Sequence, residues 1–505
     1  MVLATTLALS GCAGAATSAS DNAVPNPDAT VRFAISVPPT QMDPMLAPQE
    51  QSHTTYDLPI FDGLTGLDGE GNIIPLLAET WEESPDRLTW TFTLREGAVF
   101  HDRSPIDAVS VVANFDRAMG LRETQGVIRQ KLAAWSRVEA VDPRTVKVTL
   151  DAPDPDLPAA LASPNLVIGS PAAFATMATA PVGSGPFRFA SKTADSVSYE
   201  RFEQYWNPEA ARAAKLEVRS IPDGTARMNA LRSGEIDAGL ATLDLATDVK
   251  SFQSDPSMQV VEKQTPNVFS LMLNTARPPV NDVRVRQALS YAINRQELNE
   301  NLLGGMCTPT SQPIPNGDGH VADLDGAYPY DPAKAKELLA EAGVPNLELD
   351  ANFAASGAGL SKVLAAPIAY QLESSGIRTN LTGTDPIQIR NLFRAGNATM
   401  SIEQMVAAVT PSIQVDAYLG LDNPGTVPPE LRALGDAVAA APFNSTESTT
   451  ALENFNRYAV ENPINIPICA VPTLFVGKAG ITGLDDMPWI TVSGNADIRG
   501  LGLAN

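Results

Sequence analysis

From Leu347 onward the chain alternates apolar strand and amphipathic helix: LELDANF, a helix ending at Gly376, IRTNLTG, the helix PIQIRNLFRAG, and the apolar run ATMSIEQMVAAV. Strands separated by helices bury their sheet beneath helical layers, so this order predicts an α/β fold. Pro367 falls inside the first of these helices, where its missing N–H predicts a kink. With 505 residues, 44% of them hydrophobic, the chain has apolar material for more than one structural unit.

The same periodicities occur upstream. LTWTFTL places Leu88, Trp90, Phe92 and Leu94 on one side and threonines on the other, which predicts a half-buried strand, and TVKVTL groups Val146, Val148 and Leu150 in the same way. Between them Ala108, Val111, Val112, Phe115 and Met119 recur at helical spacing. In DGTARMNALRSGEIDAGL, Asp223 is the expected N-cap and Gly234 the expected stop, with a strand in IDAGL. NDVRVRQALSYAINRQELNENLLGG carries an apolar stripe through Val285, Ala288, Leu289, Ala292 and Ile293, with arginines expected on the opposite side. In DPAKAKELLAEAG, Asp331 caps, Pro332 takes the first helical position, and Gly343 ends the helix.

Several function classes are excluded by composition. A net charge of -23 without any Lys/Arg-rich run argues against nucleic-acid binding, which needs cations to neutralise phosphates. Three cysteines without CxxC spacing and three histidines (His53, His101, His320) argue against a zinc site. His101 reads as a satisfied structural histidine. Past the first dozen residues there is no run of about 18 apolar residues.

The first segment differs from the rest. Val2 to Gly11 has the length of a signal-peptide apolar region, and Leu9, Ser10, Gly11 and Cys12 resemble the lipobox of bacterial lipoproteins. That resemblance implies a lipid on the sulfur of Cys12 and cleavage before it. No Lys or Arg precedes the apolar run, so either a start codon lies upstream or the likeness is accidental; the tether-like composition from Ala13 to Asp28 favours the former.

Six stretches together resemble the extracellular solute-binding proteins of family 5, which serve ATP-driven importers of peptides, nickel chelates and related solutes. They are IFDGL (60–64), PLLAETWEESPDRLTWTFTLREGAVFHD (75–102), PVGSGPFRF (181–189), NALRSGEIDA (229–238), FSLMLNTARPPVNDVRVRQALSYAINR (269–295) and YDPAKAKELLAEAG (330–343). In physical terms these read as scaffold. Gly183 and Gly185 suit a tight turn, and Asn274 suits local backbone bonding. The resemblance implies a two-lobed periplasmic-binding-protein fold of type II with a ligand cleft between the lobes. Residues 1–29 would be lipoprotein signal and tether, 30–62 the first part of lobe I, and 63–184 a subdomain inserted in it. Residues 185–274 would be the second part of lobe I, 275–477 lobe II, and 478–505 the C-terminal return to lobe I. It further implies binding by hinge closure, no enzymatic step, no cofactor and no metal. The expected protein is monomeric, lipid-anchored and extracytoplasmic, with the importer's permease subunits as partners.

The resemblance also directs attention to the cleft walls. Ser36, Val37 and Pro38 would line it from lobe I, facing Gln404, Met405 and Val406. Peptide-binding members place an aspartate in lobe II against the ligand ammonium, but the matching stretch here, EQMVAAVTPS, has none after Glu403. An apolar or uncharged ligand is therefore expected, unless Glu403 or Asp416 substitutes. Arg390 and Arg394 are candidates to receive a carboxylate, but on a helix they read rather as solvated. With Cys12 assigned to lipid, Cys307 and Cys469 remain, and in an exported protein they are expected to pair, two buried thiols being the alternative. Two other functions stay open: a lipoprotein that signals to a membrane partner without transport, and an exported hydrolase, although G-x-S-x-G and H-E-x-x-H are absent.

Overall fold

The alternating LTWTFTL forms the strand Thr89–Leu94, with Trp90, Phe92 and Leu94 buried and the threonines between them half-buried. It pairs antiparallel with Ala78–Glu83 and Thr145–Leu150, and Trp135–Asp142 completes a four-stranded sheet. The helix Ala108–Leu121, opened by a capping box between Asp107 and Ser110, packs Ala108, Val111, Phe115 and Ala118 over this sheet. The computed structural model describes residues 24–46, 50–122, 128, 132–355, 359–385, 388–405, 410–421, 424–442, 444–488 and 495–504. Cys12, the start of the expected tether, and Val406 lie outside them.

Two larger sheets carry the rest. The seven-stranded sheet runs in the order Met258–Lys263, Thr473–Lys478, Ala238–Ala241, Thr30–Ile35, Lys215–Ser220, Ser196–Arg201, Phe187–Lys192. Thr30–Ile35 lies parallel to both its neighbours. The six-stranded sheet runs Thr308–Pro309, Asn465–Ala470, Val268–Leu273, Met400–Met405, Leu347–Ala354, Ile377–Thr384. Its last three strands are parallel and are joined through helices, as the alternation after Leu347 predicts. The helix Leu360–Ser374 continues through Pro367. Among the described residues no helix is long and apolar enough to cross a membrane.

Among the described strands the chain passes between the two large sheets twice, at residues 264–267 and again at 471–472. The two crossings are bonded to each other: Thr265 Oγ1 donates to the Val471 carbonyl (2.7 Å), and the Val471 N–H donates to the Asn267 carbonyl (2.9 Å). The boundaries expected at 274 and 477 lie at the far ends of the strands that follow these crossings.

Helix starts follow the expected chemistry. Asp223 accepts from the Ala226 N–H (2.7 Å) and Asp331 from the Lys334 N–H (2.9 Å). The stretch from Val283 to Leu302 departs from expectation twice. It divides into Val283–Tyr291 and Arg295–Leu302, with Asn294 capping the second helix. Arg286 and Arg295 are buried rather than facing water. Arg286 donates to the carbonyls of Val280, Asn281 and Pro463, and Arg295 to those of Ser290, Thr310 and Pro467. Backbone acceptors at loop ends supply what solvent would otherwise supply, so both cations stay buried.

Three of the stretches that carry the resemblance, 60–64, 75–102 and 181–189, meet as a clamp. Asp62 of IFDGL is fully buried, bonded to Arg499 Nη1 (2.7 Å) and Tyr205 Oη (2.8 Å), and its N–H donates to Ser184 Oγ (2.9 Å). Gly183 and Gly185 are required by close approach rather than by turn conformation: a Cβ on Gly185 would stand 2.7 Å from the Ile60 carbonyl carbon and 2.8 Å from the Phe61 nitrogen. His101 accepts from the Gly183 N–H at Nδ1 (3.3 Å), which leaves Nε2 to donate to the Gly185 carbonyl (2.9 Å). Burial pushes its pKa down from 6.5 to about 4. A second knot forms at Asp237, which takes Arg32 through two guanidinium bonds (2.8 Å each) and Lys478 Nζ (2.6 Å). Burial alone would raise this carboxyl, but the bonds from Arg32 and Lys478 hold it below the usual carboxylate range. Cys307 and Cys469 are joined as a disulfide across the edge pair Thr308–Pro309 and Asn465–Ala470, with Cα atoms 5.7 Å apart.

Three stability outcomes follow from these contacts. Asp62→Ala leaves Arg499 buried beside one carboxylate instead of two and is expected to cost about 3–5 kcal/mol in urea denaturation; a loss under about 1 kcal/mol would mean that the clamp relaxes. His101 is neutral when folded, so its contribution is complete above pH 6.5 and is lost as pH falls toward 4, up to about 3 kcal/mol. His101→Gln should therefore show a smaller drop in urea midpoint between pH 7 and pH 4.5 than the wild type does. Replacing both Cys307 and Cys469 by alanine opens a loop with a sequence separation of 162 and should cost about 4–5 kcal/mol in the chain-entropy model; an unchanged midpoint under oxidising conditions would contradict it.

Candidate functional site

Where the two sheets meet at the crossings there is a cavity of about 190 Å³. One wall comes from the seven-stranded sheet: Ser36 just past the strand Thr30–Ile35, residues 240–244 where Ala238–Ala241 ends, and Thr473 at the start of Thr473–Lys478. Gln404 and the start of the helix Leu360–Ser374 form the facing wall, and Val471 and Pro472 of the second crossing close the back. The cavity thus lies beyond the carboxyl ends of parallel strands, where an α/β sheet leaves a crevice that its loops can line.

The lining is apolar through Leu240, Leu243, Leu360, Val471 and Pro472, with a few polar groups among them. Three of the polar oxygens, Thr242 Oγ1, Asp244 Oδ1 and Thr473 Oγ1, are buried without a hydrogen-bond partner. Three oxygens on one lining are thus available to accept from the donors of a bound solute.

Of the residues expected to line the cleft, Ser36 and Gln404 come together here from opposite sheets. Val37 is half-buried and its carbonyl accepts from Tyr56 Oη (2.7 Å), while Pro38 is exposed; neither is part of this lining. Met405 takes the other face of its strand and packs with Met272 and Phe393 in the core, because successive strand residues point to opposite sides. Glu403 shares that far face, buried, with Ser401 Oγ at 2.7 Å and Arg390 Nη2 at 3.4 Å. Arg390 is thus engaged by a carboxylate rather than simply solvated. Asp416 is exposed. The neighbouring stretch makes a further bridge, since Ser412 Oγ donates to Asp156 of the unit built on the four-stranded sheet. Asp244 was missed by sequence reasoning. Its only signal was an isolated acid after a short apolar strand, which is the pattern of an ordinary helix approach.

Comparison with known proteins agrees with this geometry. The model of the bacterial extracellular solute-binding proteins, family 5 Middle, matches residues 72–423. The chain is 32% identical over 352 residues to the glutathione-binding protein GsiB of Pectobacterium atrosepticum, covering 68% of this chain and 67% of that protein. It is 30% identical over 347 residues to heme-binding protein A of Haemophilus influenzae, covering 63% and 62%. The structure of the PBP AgaA from A.tumefacien R10 in complex with agropinic acid superimposes with a TM-score of 0.79 at 26% identity, over 94% of this chain and 99% of that one. The mixed α/β architecture is therefore the two-lobed, type II periplasmic-binding-protein fold.

Proposed function

The chain belongs to the bacterial extracellular solute-binding proteins of family 5, and from that premise we propose that it captures one small organic solute in the cavity between its two large sheets. The solute is peptide-like or another small organic molecule, and the loaded protein presents it to the permease subunits of an ATP-driven importer. Ser36 and Gln404 contact the solute from opposite walls, and closure works by bending at residues 264–267 and 471–472. The four-stranded unit is the inserted subdomain of lobe I. The protein is held at the membrane as a monomer by lipid on Cys12. The observation that carries this reading is the cavity itself: it draws its walls from both sheets and its back from the crossing between them. The family's relatives named above are binding proteins, and the ligands in their names, glutathione and heme, share no single chemistry. The site's own residues must therefore choose the ligand.

Native mass spectrometry of gently purified protein should reveal a co-purified small molecule. Thermal shift with peptides, sugars and metal chelates should then raise the melting temperature with that class alone, less in Ser36→Trp, which fills the cavity. Turnover of the stabilising ligand, or full stabilisation of Ser36→Trp, would count against this reading. Protein isolated from membranes should carry a diacylglycerol mass at Cys12.

A further inference from the structure

Asp244 is the one ionisable side chain lining the cavity among the described residues. Its Oδ1 is buried and bonded to nothing, and the hydroxyls of Thr242 and Thr473 on the same lining are in the same condition. Thr473 is 5% exposed and faces the cavity. Asp244 is half-buried, and a carboxylate oxygen turned into a cavity without a bonded donor is free to accept one from a ligand.

The fold brings a charge near but bonds no donor to Oδ1. Arg227 is near enough for its charge to be felt by Asp244, yet its Nε and Nη1 donate to the carbonyls of Leu240 (2.7 Å) and Ile221 (2.6 Å), and no ion pair joins the two. Nor does Asp244 cap the helix that follows: Ala246–Gln253 starts without any side-chain cap bond. Among the described residues of the facing wall no carboxylate takes this role, since Glu403 lies on the far face of its strand with Arg390 and Ser401.

We propose that the cavity selects solutes bearing a protonated amine, with Asp244 as the countercharge and the hydroxyls of Thr242 and Thr473 as further acceptors. This rests on the reading of the cavity as the solute site. A primary ammonium carries three N–H donors and no acceptor, and the lining offers a carboxylate and two hydroxyl oxygens that lack donors. Leu240, Leu360, Val471 and Pro472 face the carbon skeleton. Closing the lobes removes water from the pair and strengthens it, because the same charges attract more in a low dielectric. The expectation from sequence of an uncharged ligand followed from the acid missing after Glu403; here the acid comes from the opposite wall.

The test uses matched ligands on the intact protein by isothermal titration calorimetry: tri-alanine against N-acetyl-tri-alanine, glutathione against N-acetylglutathione, and cadaverine against 1,5-pentanediol. At least one free amine should bind tenfold or more tightly than its partner, and Asp244→Asn should erase that preference. Thr473→Val should reduce it by a smaller factor. The wild-type comparison stands even if Asp244→Asn folds poorly. Equal binding within every pair, or a preference that survives Asp244→Asn in folded protein, overturns the proposal. If a sugar or carboxylate binds instead and weakens in Gln404→Ala but not in Asp244→Asn, the amine assignment fails while the cleft remains the solute site. If no solute of any class binds, the cleft reading itself fails.

Discussion

The hydrogen bonds that tie residues 264–267 to residues 471–472 are the constraint on which the cleft depends. Two connections run side by side between the sheets and are bonded to each other, the arrangement the proposed closure requires. Asn316 Nδ2 on the Thr265 carbonyl (2.9 Å) and Gln414 Nε2 on the Pro266 carbonyl (3.1 Å) tie the first of them to the six-stranded side. The Asp237 knot joins the first strand of the chain to Lys478 at the far end of the strand that follows the return crossing. Under the proposed closure, a cavity backed by Val471 and Pro472 would keep its floor while its walls move.

Around these crossings the molecule puts its polar residues to structural use. Asp62, His101, Ser184 and Arg499 hold segments from four parts of the chain against the backbone of residues 60–61 and 183–185. Arg286 and Arg295 hold loop carbonyls in the same manner on the other side of the crossings. These side chains are spent on named partners within the fold, whereas Thr242 Oγ1, Asp244 Oδ1 and Thr473 Oγ1 share one cavity lining and have no partner there.

Much of the fold was legible in the sequence because its signals are local. Period-two alternation identified Thr89–Leu94, and Asp-first helix starts identified the caps at Asp223 and Asp331. What was not legible is long-range. An arginine on a helix looks solvated until the fold brings carbonyls from residues 463 and 467 onto it, as for Arg286 and Arg295. Glycines 183 and 185 looked like turn residues because only the fold brings Ile60 against them. In the site, the alternation that placed Gln404 on the cavity face necessarily turned Met405 and Glu403 away from it, but which face the cavity takes depends on the sheet's neighbours. Asp244 carried no pattern at all, and its isolation from donors is a property of the assembled wall.

The way each large sheet collects its strands bears on the order in which the chain can fold. All six strands of one sheet come from the uninterrupted stretch between Val268 and Ala470, whereas the other combines Thr30–Ile35 with Thr473–Lys478. A chain emerging from a pore with its N-terminus first exposes most of the seven-stranded sheet early but must wait for one inner strand. The half that begins later can finish first, and the earlier half closes around its last strand once residue 478 is free.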